Sequence, residues 1–231
     1  MGNDHPPDPR TAPGMYSSEA PAHPVHVSAL RMGATPVTVA MWREYVRRDR
    51  DARMPAPPAW GWVDPHPIVG VSWNDATRYA AWASRTTGVR LRLPTEAEWE
   101  WCARGGADRR YPWGERWDPN QLWCSTRRIA DRGRTAAVDR LDRRYVDGFG
   151  LSDLAGNVAQ WCADWHGPYP AGGAMAVDPT GPKSGRYRVM RGGSWALHDP
   201  LQFRCTMRMW FLPGDADATI GFRLAADCER G

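Results

Sequence analysis

Apolar positions in the first half of the chain recur with helical spacing. In the second half that spacing gives way to short alternations cut by glycine, proline, aspartate and asparagine. Met41, Trp42, Tyr45 and Val46 form an i, i+1, i+4, i+5 stripe behind Thr38, whose hydroxyl can accept from the first free amides of a helix. A second helix is predicted with Asn74 as its cap, burying Ala76, Tyr79, Ala80 and Ala83 and stopping near Gly88. The third carries the clearest local signal. Thr95 and Glu98 are spaced as a capping box, Trp99, Cys102 and Ala103 share one face, and Gly105 supplies the stop. His23 to Val27 alternates like a strand. From Tyr111 onward loops and short strands are expected, and a fold so poor in regular structure needs internal ties such as buried tryptophans or bound calcium. The proline-rich residues 1–18 read as an extended or disordered arm, leaving 19–231 as a single domain.

Composition narrows the class. A chain of 231 residues suffices for one substantial core. No apolar run approaches the roughly 20 residues needed to cross a bilayer, and the first residues lack a secretory apolar core, so a cytoplasmic protein without membrane contact is expected. Of the 30 basic residues only Lys183 is a lysine, the net charge is +4, and like charges nowhere form a long run. That pattern argues against a nucleic-acid partner. Cys102, Cys124, Cys162, Cys205 and Cys228 show no zinc spacing and are too sparse for a disulfide scaffold, so buried thiols are expected. The 14 tryptophans are a large rigid aromatic area, for packing under loops or for lining a binding surface.

Several segments stand in an order that carries more than any one of them. They are Glu19-Ala20-Pro21, His66-Pro67-Ile68-Val69 with Val71-Ser72-Trp73, Arg92 through Glu100, and Tyr111-Pro112-Trp113-Gly114. They continue with Asp147-Gly148-Phe149-Gly150-Leu151, Gly156-Asn157-Val158, Arg191-Gly192-Gly193-Ser194-Trp195 and Gly221-Phe222-Arg223-Leu224-Ala225. In these motifs the chain resembles the formylglycine-generating enzyme (FGE, or sulfatase-modifying factor) family over about residues 19–227. The resemblance implies an irregular α+β fold with a C-type-lectin-like core, low regular secondary-structure content and structural calcium.

The same resemblance implies a departure in chemistry. Family enzymes use two cysteines after the Arg-Gly-Gly-Ser motif to bind copper(I) and oxidise a substrate cysteine, and soft thiolates are what copper(I) selects. Counted from Arg191, those positions here are Leu197 and Gln202, and a pocket tryptophan of the family is replaced by Ala159. Formylglycine generation is therefore not expected. The family's calcium site falls on Asp153, the carbonyls of Gly156 and Val158, and Gln160; oxygen ligands of these kinds suit calcium. A second site would fall between Gln121 and Arg134, with Asp131 as its carboxylate.

Other candidates divide by chemistry. Gly192-Gly193 reads as a tight backbone turn, since neither a P-loop lysine nor a following helix is present, and His198 beside Asp199 as an exposed loop histidine. Arg204, Arg208 and Arg223 suit buried bidentate ion pairs. Ser194, Trp195, Leu197, His198, Gln202, Phe203, Met209, Trp210 and Phe211 mix apolar, aromatic and polar groups in the manner of a contact surface. Two functions compete. One is a binding module whose loops after Arg191-Gly192-Gly193-Ser194 meet a protein or small-molecule ligand. The other is a divergent oxygen-dependent oxidoreductase using copper or iron.

Overall fold

The structure is a computed structural model that describes residues 1–3, 17–126, 133–138 and 149–228. Asp131 and the Asp147-Gly148 pair lie outside the described residues.

Among the described residues three α-helices form where local chemistry asks for them. In α1 (Val39–Arg48) Thr38 accepts from the Met41 amide, and the buried stripe is Val39, Trp42 and Tyr45. Met41 departs from the predicted stripe and is 47% exposed, because one turn of covered surface is filled by Trp42 and Tyr45 at i, i+3 spacing. Helix α2 (Trp73–Thr87) is capped by Ser72 in a full capping box with Asp75, and Gly88 closes it in the left-handed conformation. Asn74, expected as the cap, lies inside the first turn: a serine two residues earlier, with an acid three residues beyond it, satisfies two amides where Asn74 would satisfy one. Helix α3 (Glu96–Arg104) has the Thr95 and Glu98 capping box and the Gly105 stop.

The strands are short and pair across long distances. They are β1 (Val25–His26), β2 (Leu30–Met32), β3 (Leu91–Arg92), β4 (Ala159–Trp165), β5 (Ala176–Val177), β6 (Arg188–Arg191), β7 (Met209–Phe211), β8 (Ile220–Gly221) and β9 (Ala225–Asp227). Among the described residues they form three sheets, ordered β1-β5, β2-β9-β3 and β7-β6-β4-β8. In the largest, β4 pairs antiparallel with β6 (Gln160 opposite Arg191) and parallel with β8 (Gln160 opposite Gly221). This α+β arrangement has the low regular content that was expected.

The main core lies between α1, α2 and this sheet. Trp42 stacks on Tyr79 at 5.3 Å, and Phe222 meets both rings edge-on. Tryptophans also tie the loops through their indole N–H: Trp161 donates to the Val71 carbonyl and Trp73 to the Cys162 carbonyl. Buried arginines do the rest. Arg208 forks both oxygens of Glu96 at 2.7 and 2.8 Å, the buried bidentate pair expected, while the half-buried Arg204 reaches one oxygen of Glu19 at 2.5 Å. The Arg223 guanidinium donates to Gln160 Oε1 and to the carbonyls of Gly33 and Ser152. Arg191, not singled out from the sequence, is fully buried against Glu100 at 2.5 Å. Among the described residues no helix is long and apolar enough to cross a membrane.

Candidate functional site

The turn after β6 needs its double glycine for two reasons. Gly192 and Gly193 have φ of 95° and 69°. A Cβ would also sit 2.9 Å from the Leu154 carbonyl at Gly192 and 2.8 Å from the Phe203 ring at Gly193. Beyond the turn Ser194 is buried, while the Trp195 amide donates to the Asn157 carbonyl. The Trp195 indole N–H donates to the Ala218 carbonyl at 3.0 Å, and its ring meets Trp60 edge-on at 5.3 Å. One indole thus joins the loop after Ser194 to the loop before β8. Trp60, in a proline-rich loop, had no local pattern to mark it.

Of the expected contact residues Phe203 is a core residue, and the half-buried residues of β7 divide between two faces. Phe203 is 1% exposed, stacked on Trp117 at 5.5 Å in a cluster with Tyr111, Leu122, Cys124 and Ala155. It is corrected from ligand contact to core because the glycine turn presses the chain directly onto its ring. Met209 and Phe211 pack against the main core from edge strand β7, and Trp210 points to the opposite face, stacked on His166 at 4.1 Å. Burial there pushes His166 down to about 4, so the ring is neutral. The most exposed parts of the surface are Ala196, His198 and the tip Gly214 to Asp217, with Gln202 half-buried beside them. Asp199 accepts from the Leu201 amide at 2.9 Å and shapes the short 3-10 turn Pro200–Phe203.

At the family's thiolate positions, Leu197 is half-buried against the cluster around Phe203, and its carbonyl takes both the Ser125 amide and hydroxyl. Four of the five cysteines are buried and Cys228 is half-buried. Burial raises the thiols of Cys162 and Cys205, the reverse of what a thiolate ligand needs. Ala159 is buried in the main core. This set of residues does not fit two-thiolate copper.

The calcium quartet also departs from expectation. Gln160 is fully buried, and its Oε1 accepts from Trp99 Nε1 at 3.0 Å and Arg223 Nε at 2.6 Å. Both are obligate donors, so the atom between them must be oxygen and the amide nitrogen must point away. That nitrogen donates to the Asp153 carbonyl at 2.5 Å. Asp153 itself accepts from the Asn157 side chain at 2.9 Å, with burial pushing its carboxyl up to about 7. Gly156 and Val158 are buried alongside. Gln160 therefore has no oxygen left for a cation, and these residues as folded do not fit calcium: an N–H stands where a ligand oxygen would be needed.

Comparison with known proteins places these features. The sequence model described as "Sulfatase-modifying factor enzyme 1-like domain" matches residues 2–228. The formylglycine-generating enzyme of Streptomyces coelicolor is 41% identical over 178 residues, 71% of this chain and 54% of that protein. The mouse (Mus musculus) "Inactive C-alpha-formylglycine-generating enzyme 2" is 32% identical over 283 residues, covering 95% of this chain and 82% of that one. Among solved structures, Treponema denticola variable protein 1 superposes with a TM-score of 0.76 at 27% identity, covering 92% and 89% of the two chains. The chain spans about half the length of the curated formylglycine-generating enzymes it matches.

Proposed function

The chain belongs to the sulfatase-modifying factor enzyme 1-like family, and from that premise we propose that it is a binding module of that family, without formylglycine-generating activity. The observation that carries the proposal is Leu197: at a thiolate position it presents an isobutyl group packed among aromatic rings, with Gln202 at the other. Fold and catalytic chemistry are separable, and the likeness to a mouse protein named inactive and to a Treponema denticola variable protein is in keeping with that separation. The contact face runs from Trp195 through Ala196, His198 and Gln202 to the tip at Gly214 to Asp217. Its partner is a protein or small-molecule ligand, and Trp195, held at both ends, is its rigid aromatic anchor.

The 41% identity to the Streptomyces coelicolor enzyme favours a second reading, a divergent oxygen-dependent oxidoreductase using copper or iron. One experiment separates the two. Protein reconstituted with copper(I) or iron(II) is assayed for oxygen uptake with a thiol peptide, and partner capture is compared between wild type and the surface double variant Ala196→Arg/His198→Glu. Absence of uptake with loss of capture is expected. Metal-dependent turnover, or capture of every partner unchanged by the double variant, would overturn the binding reading.

A further inference from the structure

A cavity of about 350 Å³ lies between the start of α3, the end of β4 and the loop 167–182, and no residue of the proposed contact face lines it. Among its lining residues is Asp164, buried at 4% exposure for the residue as a whole. Its Oδ2 accepts from the Glu96 amide at 2.8 Å, at the N-terminus of α3; its Oδ1 has no hydrogen-bond partner among the described residues. That oxygen belongs to a residue lining the cavity, where a ligand N–H can reach it and replace water as its donor.

The other charged groups at the cavity are already engaged. Glu96 is forked by Arg208, whose Nη1 also donates to the carbonyls of Ser18 and Gly167 at 2.9 Å each. The Met1 ammonium donates to the His23 carbonyl at 3.0 Å. The walls are Trp165, Pro168, Pro179 and Pro182, rigid apolar groups that lose little conformational entropy when covered. Gly181, at φ 69°, leaves room beside the carboxylate; a Cβ there would come within 3.1 Å of Oδ1.

We propose that this cavity binds an organic ammonium ion with a compact apolar body. Its N–H groups meet Asp164 Oδ1 and its body lies against Trp165 and the prolines. A hard metal ion is the wrong cation, because calcium takes about six to eight oxygens, and no cluster of three or more acidic, histidine or cysteine side chains among the described residues could hold one. An ammonium needs one strong acceptor and a dry wall, and both are here. Desolvation first, and the neighbouring Glu96 carboxylate second, also raise the Asp164 carboxyl to about 7, against the opposing pull of Arg208.

The test is calorimetric titration at pH 8 with 2-phenylethylamine and, as neutral counterpart, 2-phenylethanol. Wild type should bind the amine, and Asp164→Asn should bind it about tenfold or more weakly, the usual loss for a charge-assisted hydrogen bond. The Asn variant keeps an oxygen for the Glu96 amide, and its unfolding midpoint verifies that it is folded. Thr180→Trp, which fills the cavity from an exposed lining position and leaves Asp164 intact, should abolish binding of the amine. Equal affinity for amine and alcohol, unchanged affinity in folded Asp164→Asn, or no heat with wild type would each overturn the proposal.

Discussion

Substituting Gln160 with glutamate exchanges one N–H donor for an oxygen, and the surroundings determine the consequence. Trp99 and Arg223 still donate to the first carboxylate oxygen, at the position now held by Oε1. The second oxygen then faces the Asp153 carbonyl, which Gln160 Nε2 now approaches at 2.5 Å. Two buried acceptors without a donor cost about 1–3 kcal/mol, so Gln160→Glu in chelator should be less stable than wild type by that amount. A calcium ion relieves the repulsion, since the new carboxylate, Asp153 and the carbonyls of Gly156 and Val158 then supply oxygens of the kind it binds. At a free concentration of about 100 times the dissociation constant, binding returns about 2.7 kcal/mol. For a domain of this size that corresponds to a rise in Tm of about 5–10 °C. The assay is thermal unfolding followed by circular dichroism, wild type and variant, in chelator and in millimolar calcium. Wild type should be indifferent to both and the variant should gain stability only with calcium. A wild-type Tm that falls in chelator, or a variant that ignores calcium, would refute the claim that the Gln160 amide takes the place of the cation.

The buried Arg191 and Glu100 pair should be costly to break from one side. Glu100→Gln leaves a guanidinium at 0% exposure facing an amide and should cost about 3–5 kcal/mol in urea unfolding, while Asp64→Asn, which breaks an exposed pair with Arg43, should cost under about 1 kcal/mol. Asp164 sets a pH dependence. Its folded-state pKa of about 7 lies above the unfolded carboxylate value, so the folded chain holds the extra proton between about pH 4 and 7, and wild type loses stability as pH rises through that window. Relative to Asp164→Asn, wild type should weaken by as much as about 4 kcal/mol between pH 4 and pH 7.5; a difference that stays constant across that range would contradict the assignment.

Features settled within a few residues were legible in the sequence. The Thr95 and Glu98 box, the Thr38 cap and the glycine stops at Gly88 and Gly105 all appear as read, because each partner is within one helical turn of the other. The slip from Asn74 to Ser72 marks the limit of that reading, since two residues with one position between them can each cap and the residues around them decide. The order of motifs along the chain carried the family, and the absence of thiols at positions 197 and 202 is a matter of residue identity alone.

What the tertiary structure decided is the direction in which side chains spend their hydrogen bonds. The family resemblance implied calcium at Asp153, Gly156, Val158 and Gln160, but the orientation of the Gln160 amide is set by Trp99 and Arg223, about sixty residues away on either side. Phe203 looked like part of a contact surface until the glycine turn brought the backbone down on its ring, and Asp164 was unremarked until folding left one of its oxygens facing a cavity. The physical reason is common to all three. Polar satisfaction and burial are properties of a whole neighbourhood, and in a fold held by short strands and long loops that neighbourhood is assembled from segments far apart in the chain.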